Sequence, residues 1–247
     1  MQRKMKRIFS VILAIVLILQ GGGYQKTMKA EEIYTQIFEV SSVEELNVAV
    51  SSINGAEAGS FLIDLKADLT TNDVGMNFLK NTTTIQGNGH YIQVSTAGGT
   101  VVASGTATVY VGLEDESNEL VFRGTETGDT PGVFYVLEGG TVVMNPGVTI
   151  QNHKGNNYYG GAVTVEGGQF TMNGGTITNC GIEGGSVCYG GGVAVYAGGV
   201  FTMNGGSIDH CYAKSDYIDD VDPNRCFTAQ GGAVFVTGGS EFIMNGG

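Results

Sequence analysis

Four aspartates crowd one stretch of the chain: Asp216, Asp219, Asp220 and Asp222, with Arg225 close behind. Carboxylate oxygens on a loop are the ligands that Ca²⁺ takes. A calcium-dependent lyase needs such a metal site and a basic group to receive a proton. These four are therefore the candidate metal residues. Their spacing follows neither an EF-hand nor a Gly-Asp nonapeptide pattern, and a solvated acidic loop accounts for the same residues. Three histidines, His90, His153 and His210, lie far apart, and no Ser-His-Asp order or Gly-x-Ser-x-Gly accompanies them. Gly87-Asn88-Gly89-His90 reads as a turn between Ile85 and Ile92; it opens no helix, so it is not a dinucleotide loop. Tyr158, Tyr159, Tyr189, Tyr196, Tyr212 and Tyr217 fall in or beside turns, where rings could stack on sugars, although Tyr is also an ordinary strand residue. Cys180, Cys188, Cys211 and Cys226 allow three disulfide pairings, or remain thiols that fill core space. No Cys-x-x-Cys occurs, which argues against zinc. The residues name no catalytic group, and no cofactor beyond the candidate Ca²⁺.

Any such chemistry needs a scaffold, and composition limits it. The 247 residues include 41 Gly but only 3 Pro. Collagen needs Gly at every third place with abundant Pro, and 42% hydrophobic residues is too many for a disordered linker. The glycines belong to a packed, turn-rich, mostly β architecture. The formal net charge is −12. Beyond position 30, six basic residues face all 24 acidic ones. Phosphate backbones are bound by basic patches, so no nucleic-acid partner is expected.

Residues 1–30 read as a signal peptide. Met1–Arg7 is basic, and Ile8–Leu19 is apolar apart from Ser10. That run is too short to span a bilayer, which takes about 20 residues, and it has the order of an export signal. The expected location is extracellular, secreted or on the cell surface, with the membrane met only through this signal.

The chain repeats itself. Gly160–Cys180 reads GGAVTVEGGQFTMNGGTITNC, Gly191–Cys211 reads GGVAVYAGGVFTMNGGSIDHC, and Gly231–Gly247 reads GGAVFVTGGSEFIMNGG. Phe170 and Phe201 are 31 positions apart, as are Cys180 and Cys211; Phe242 follows Phe201 by 41. A weaker copy, Gly139–Asn152, has Val142 where Phe170 stands. Within each unit apolar residues alternate between Gly pairs, so Val163, Val165, Phe170 and Met172 share one face. Three short strands per unit, recurring in register, predict a parallel β-helix whose units stack at about 4.8 Å. Like residues then form ladders: Phe170, Phe201 and Phe242; Met172, Met203 and Met244; Asn145, Asn173, Asn204 and Asn245. An Asn before a turn tolerates the left-handed region, and stacked carboxamides bond from strand to strand. His210 is expected to stack on Asn179. Antiparallel hairpins are the competing reading, because Asn-Gly between β runs is a hairpin signal, but they leave the in-register recurrence unexplained.

Residues 31–60 read as an N-terminal cap strand and helix. Ser42 and Glu45 form a capping box, Val43, Leu46, Val50 and Ile53 make a helical stripe, and Asn54-Gly55 ends it. Such a helix would cover an exposed strand edge. Residues 61–247 form the β-helix, with clear repeats from about 132. The chain stops in mid-unit at Met244-Asn245-Gly246-Gly247, which predicts a truncated C-terminal end.

The recurring GGxFTMNGGxI resembles the Gly-rich right-handed parallel β-helix proteins exported by bacteria, within the pectin-lyase-like superfamily. Gly160-Gly161-Ala162-Val163 and Gly231-Gly232-Ala233-Val234, with Phe170–Asn173, Phe201–Asn204 and Phe242–Asn245, are similar to the GGA and FxxN repeats of polymorphic membrane protein adhesins. The resemblance implies an all-β, right-handed parallel β-helix (solenoid) with a short N-terminal capping helix. It implies an adhesin-like structural or binding module, with host or bacterial glycans or surface proteins as partners. Polysaccharide lyases and glycoside hydrolases share the fold and supply the alternative. Uniform Thr, Asn and Gly on the expected surface favours the non-enzymatic reading.

Overall fold

The computed structural model describes residues 34–70, 75–94, 99–114, 118–124, 132–155, 160–183, 187–215 and 228–247. The aspartate cluster, Cys226, Tyr158, Tyr159, Tyr217 and the apolar N-terminal run lie outside these residues.

The structure is mostly β, and its sheets are parallel. The largest holds eight strands, beginning Gln36–Val40, Ser60–Leu65, Thr82–Gln86 and Thr108–Val111 and continuing Thr141–Met144, Gln169–Met172, Val200–Met203 and Glu241–Met244. A second holds six, from Met76–Phe78 through Val101–Ala103, Phe134–Leu137, Val163–Glu166 and Val193–Tyr196 to Val234–Val236. A third holds five, from Tyr91–Gln93 to Ser207–Asp209. From Thr82 to Val236 each unit of sequence gives one strand to each of these sheets, and the next unit lies beside it. Phe170 pairs with Phe201 and Phe201 with Phe242; Met172, Met203 and Met244 pair likewise. Hairpins would have made these neighbours antiparallel.

Alternation decides what faces inward. Val142, Phe170 and Phe201 are buried in one column, and Phe122, Ile150 and Ile177 in another. Phe170 and Phe201 stack at 5.1 Å and Phe201 and Phe242 at 4.8 Å, while Phe134 meets Phe122 edge-on at 5.0 Å. Burying one such side chain stabilises by about 2–3 kcal/mol, and repetition along the column makes this the dominant favourable contribution.

Corners are made in two ways. After Asn173 and Asn204 the second glycine takes the left-handed conformation, Gly175 at φ 83° and Gly206 at φ 93°. The ladder asparagines themselves stay out of that region, a correction to the expectation from their position before a turn. At the next corner no Gly pair follows, and Asn152, Asn179 and His210 adopt positive φ themselves. Freed from the turn, the ladder carboxamides bond one another. Asn245 donates to Asn204 at 2.8 Å, Asn204 to Asn173 at 2.9 Å, and Asn173 to Asn145 at 3.2 Å. Asn145 ends the chain of bonds on the Gly112 carbonyl.

The helix Val43–Gly55 starts at Ser42, whose hydroxyl accepts from the Glu45 N–H, while the Glu45 carboxylate reaches back to the Ser41 N–H. It buries Leu46, Ala49, Val50 and Ile53 against the first strands of the two larger sheets. Asn54 and Asn81 tie its end down, Asn54 to the backbone of Asn77 and Leu79 and Asn81 to the Ile53 carbonyl.

Candidate functional site

On the outer side of the six-stranded sheet, polar side chains from three successive strands converge. Glu166 ends the strand Val163–Glu166, and its in-register neighbours are Leu137 and Tyr196. The Tyr196 hydroxyl donates to Glu166 Oε2 at 3.1 Å. Tyr135, two residues before Leu137, sends its long phenol diagonally along the sheet to donate to the same oxygen. Thr164 is Tyr135's register partner, and Ala194 follows in the next strand. Both are fully buried, because the Gly160 and Gly190 turns lie against them. Thr164, on the face opposite Val163 and Val165, is kept from solvent by the turn.

Burial and proximity set the protonation of the trio. Partial burial, then the hydrogen bond to Glu166, pushes the Tyr135 phenol up to about 12. Burial and the neighbouring Tyr135 push Tyr196 higher still. Both phenols are neutral donors at physiological pH and poor proton acceptors. With both phenol protons already donated to Glu166, the trio offers a polar ligand oxygen acceptors, and its neutral tyrosines cannot serve as general bases. Beside it, Leu137, Glu138, Glu166, Gly167, Ala197 and Gly198 line an open depression of about 510 Å³. One strand further along the same column as Tyr135, Thr164 and Ala194, Phe235 stacks on Tyr189 at 4.3 Å with rings nearly parallel.

The three histidines stay apart. His90 closes the Gly87–His90 turn and lies 3.2 Å from Asp68. His210 is exposed beside Asp209, and its register partner is Asn179, one corner position after Thr178 and Asp209. His153 is fully buried, and burial lowers its pKa to about 4. Tyr212 lies over Gly181, near the Lys154–Glu183 ion pair, away from the trio. Among the described residues no group of three or more His, Cys, Asp or Glu is placed to hold a metal ion. The Asp216, Asp219, Asp220 and Asp222 cluster is outside those residues.

Tyr196 was among the aromatics singled out from the sequence; Tyr135 and Glu166 were not. Their signal was the repeat period itself, since Tyr135 and Tyr196 lie 31 and 30 positions from Glu166. Comparison of the chain with protein-family models, with curated proteins and with solved structures gives no match.

Proposed function

We propose that the parallel sheets are the faces of a right-handed β-helix, carried outside the cell as an adhesin-like module that binds glycans along its outer surface. The GGA and FxxN repeats and the basic-apolar N-terminus support the fold and the export. The binding reading rests on one observation: two phenols, Tyr135 and Tyr196, whose protons are committed to Glu166, and the carboxylate itself, are held in fixed positions beside an open depression, where their oxygens can accept from a ligand. Sugar hydroxyls are met by such groups, and sugar faces by aromatic rings. With a net charge of −12 the chain repels polyanions, so neutral glycans are the favoured class over polyuronates.

The alternative is a polysaccharide lyase or glycoside hydrolase of the same fold. It draws on Glu138 and Glu166, two carboxylates lining one depression, the pair that glycoside hydrolysis uses. A glycan array probed with the full chain, followed by Tyr196→Ala and Glu166→Gln, separates the readings. Binding to neutral glycans that both substitutions weaken at least tenfold, with no new reducing ends, supports the module. Product release from neutral or uronic polymers, with or without Ca²⁺, supports the enzyme. Unchanged binding in both variants removes the trio from the account.

A further inference from the structure

Beside the corner formed by Asn152, Asn179 and His210 runs a second column: His153, Cys180 and Cys211. Register fixes it. Thr178 pairs with Asp209 and Gly181 with Tyr212, so Cys180 and Cys211 lie opposite one another on adjacent parallel segments. The Tyr212 N–H donates to the Cys180 carbonyl at 3.0 Å, which keeps the two backbones at ladder spacing. That spacing is about 4.8 Å, inside the roughly 4.4–6.8 Å window of Cα separations that a disulfide bridges.

Both sulfurs take the same pose. Cys180 Sγ lies 3.3 Å from the Thr178 carbonyl and 3.9 Å from that of Ile150. Cys211 Sγ lies 3.2 Å from the Asp209 carbonyl and 3.9 Å from that of Ile177. Two side chains with identical poses on adjacent segments stack sulfur over sulfur. Cys188 is placed differently: it belongs to another strand pair, opposite Ala229. Access is graded as well, since Cys180 is fully buried and Cys211 only half-buried.

We propose that Cys180 and Cys211 are a disulfide-forming pair that links two consecutive units when the chain meets a disulfide oxidant. The half-buried Cys211 loses its proton and attacks one sulfur of the oxidant. The oxidant's S–S bond breaks, and one half leaves as a thiolate that takes up a proton. Cys180 then gives up its proton and attacks the Cys211 sulfur of the mixed disulfide, expelling the second half as a thiol. Two protein thiols are oxidised by two electrons, and the oxidant is reduced to two thiols. The thiol of Cys180, hydrogen-bonded to Cys211, favours ionisation of Cys211 and disfavours its own, which fits Cys211 as the first nucleophile.

The test uses the full chain, reduced and then incubated natively with oxidised glutathione. Remaining thiols are alkylated, and peptides are mapped without reduction by mass spectrometry. The expected product is a reducible Cys180–Cys211 cross-link, two hydrogens lighter than the separate peptides. It persists in the Cys188→Ser/Cys226→Ser variant. Alkylation of both Cys180 and Cys211 after oxidation overturns the proposal. So does a link from either residue to Cys188 or Cys226, or a Cys211 that stops at the glutathione adduct.

Discussion

The Asn204 carboxamide donates to the Asn173 oxygen at 2.9 Å across 31 residues of chain. Asn173 stands inside the ladder, accepting from Asn204 and donating to Asn145, whereas Asn245 has a ladder partner on one side only among the described residues. Replacing Asn173 leaves the oxygen of the buried Asn145 without its donor, while the exposed Asn204 can turn to water. Asn173→Ala is expected to cost about 2 kcal/mol and Asn245→Ala about 1 kcal/mol or less. Urea midpoints, compared at equal slope, check the order.

The ring column gives a steeper gradient. Phe201 is fully buried between Phe170 and Phe242, while Phe242 is only partly buried. Truncating a buried Phe removes its transfer energy and leaves a cavity, so Phe201→Ala is expected to destabilise by about 3–5 kcal/mol. Phe242→Ala should cost less than half of that. Denaturant titration followed by far-ultraviolet circular dichroism measures both.

His153 makes stability depend on pH. Its folded pKa is lowered from 6.5 to about 4 by burial, so the unfolded chain binds the extra proton first. Its contribution is intact above pH 6.5, declines as pH falls toward 4, and is fully lost below that. The difference corresponds to about 3 kcal/mol. Urea midpoints between pH 4 and 7 should fall with acidification, and His153→Asn should flatten that slope.

Thr83 shares the inward column of Phe61, Val109, Val142 and Phe170. Its hydroxyl is buried and finds no hydrogen-bond partner among the described residues. Thr83→Val keeps the shape and removes an unpaired polar group, so a gain of about 1 kcal/mol is expected in thermal or urea unfolding.

Two glycine substitutions should act in opposite directions. Around Gly55, in the last turn of the helix, a methyl meets nothing within 4 Å, and Gly55→Ala should stabilise by about 0.5–1 kcal/mol. At Gly161 the same methyl would collide with the carbonyl oxygens of Gly191 and Gly181. Gly161→Ala should force adjacent units apart and lower the melting temperature.

The parallel pairing was legible where identical residues recur, because Phe, Met and Asn at a fixed interval mark the strand that lies alongside. It faded before residue 132 for a physical reason. Phe61, Thr83, Val109 and Val142 occupy one column, yet no two successive members are alike in size and polarity except the two valines. A packed interior accepts many apolar shapes of suitable volume, so the position is kept while the letter changes. The left-handed asparagines were misassigned because both kinds precede a turn. What separates them is the sequence that follows: a Gly pair succeeds Asn173 and its second member, Gly175, takes the positive φ, whereas Asn179 is followed by Cys180 and carries the positive φ itself. The Tyr135–Glu166 bond was hidden because it runs diagonally, two positions off register, and only the reach of a phenol makes it.

Tyr135, Glu166 and Tyr196 belong to three consecutive strands. A load hung on Glu166 is therefore not borne by one strand. It is divided at once among three, each clamped to its neighbours by rows of backbone hydrogen bonds that must fail together. Pulled on at this point, the sheet is expected to yield as a block of three strands rather than one strand at a time.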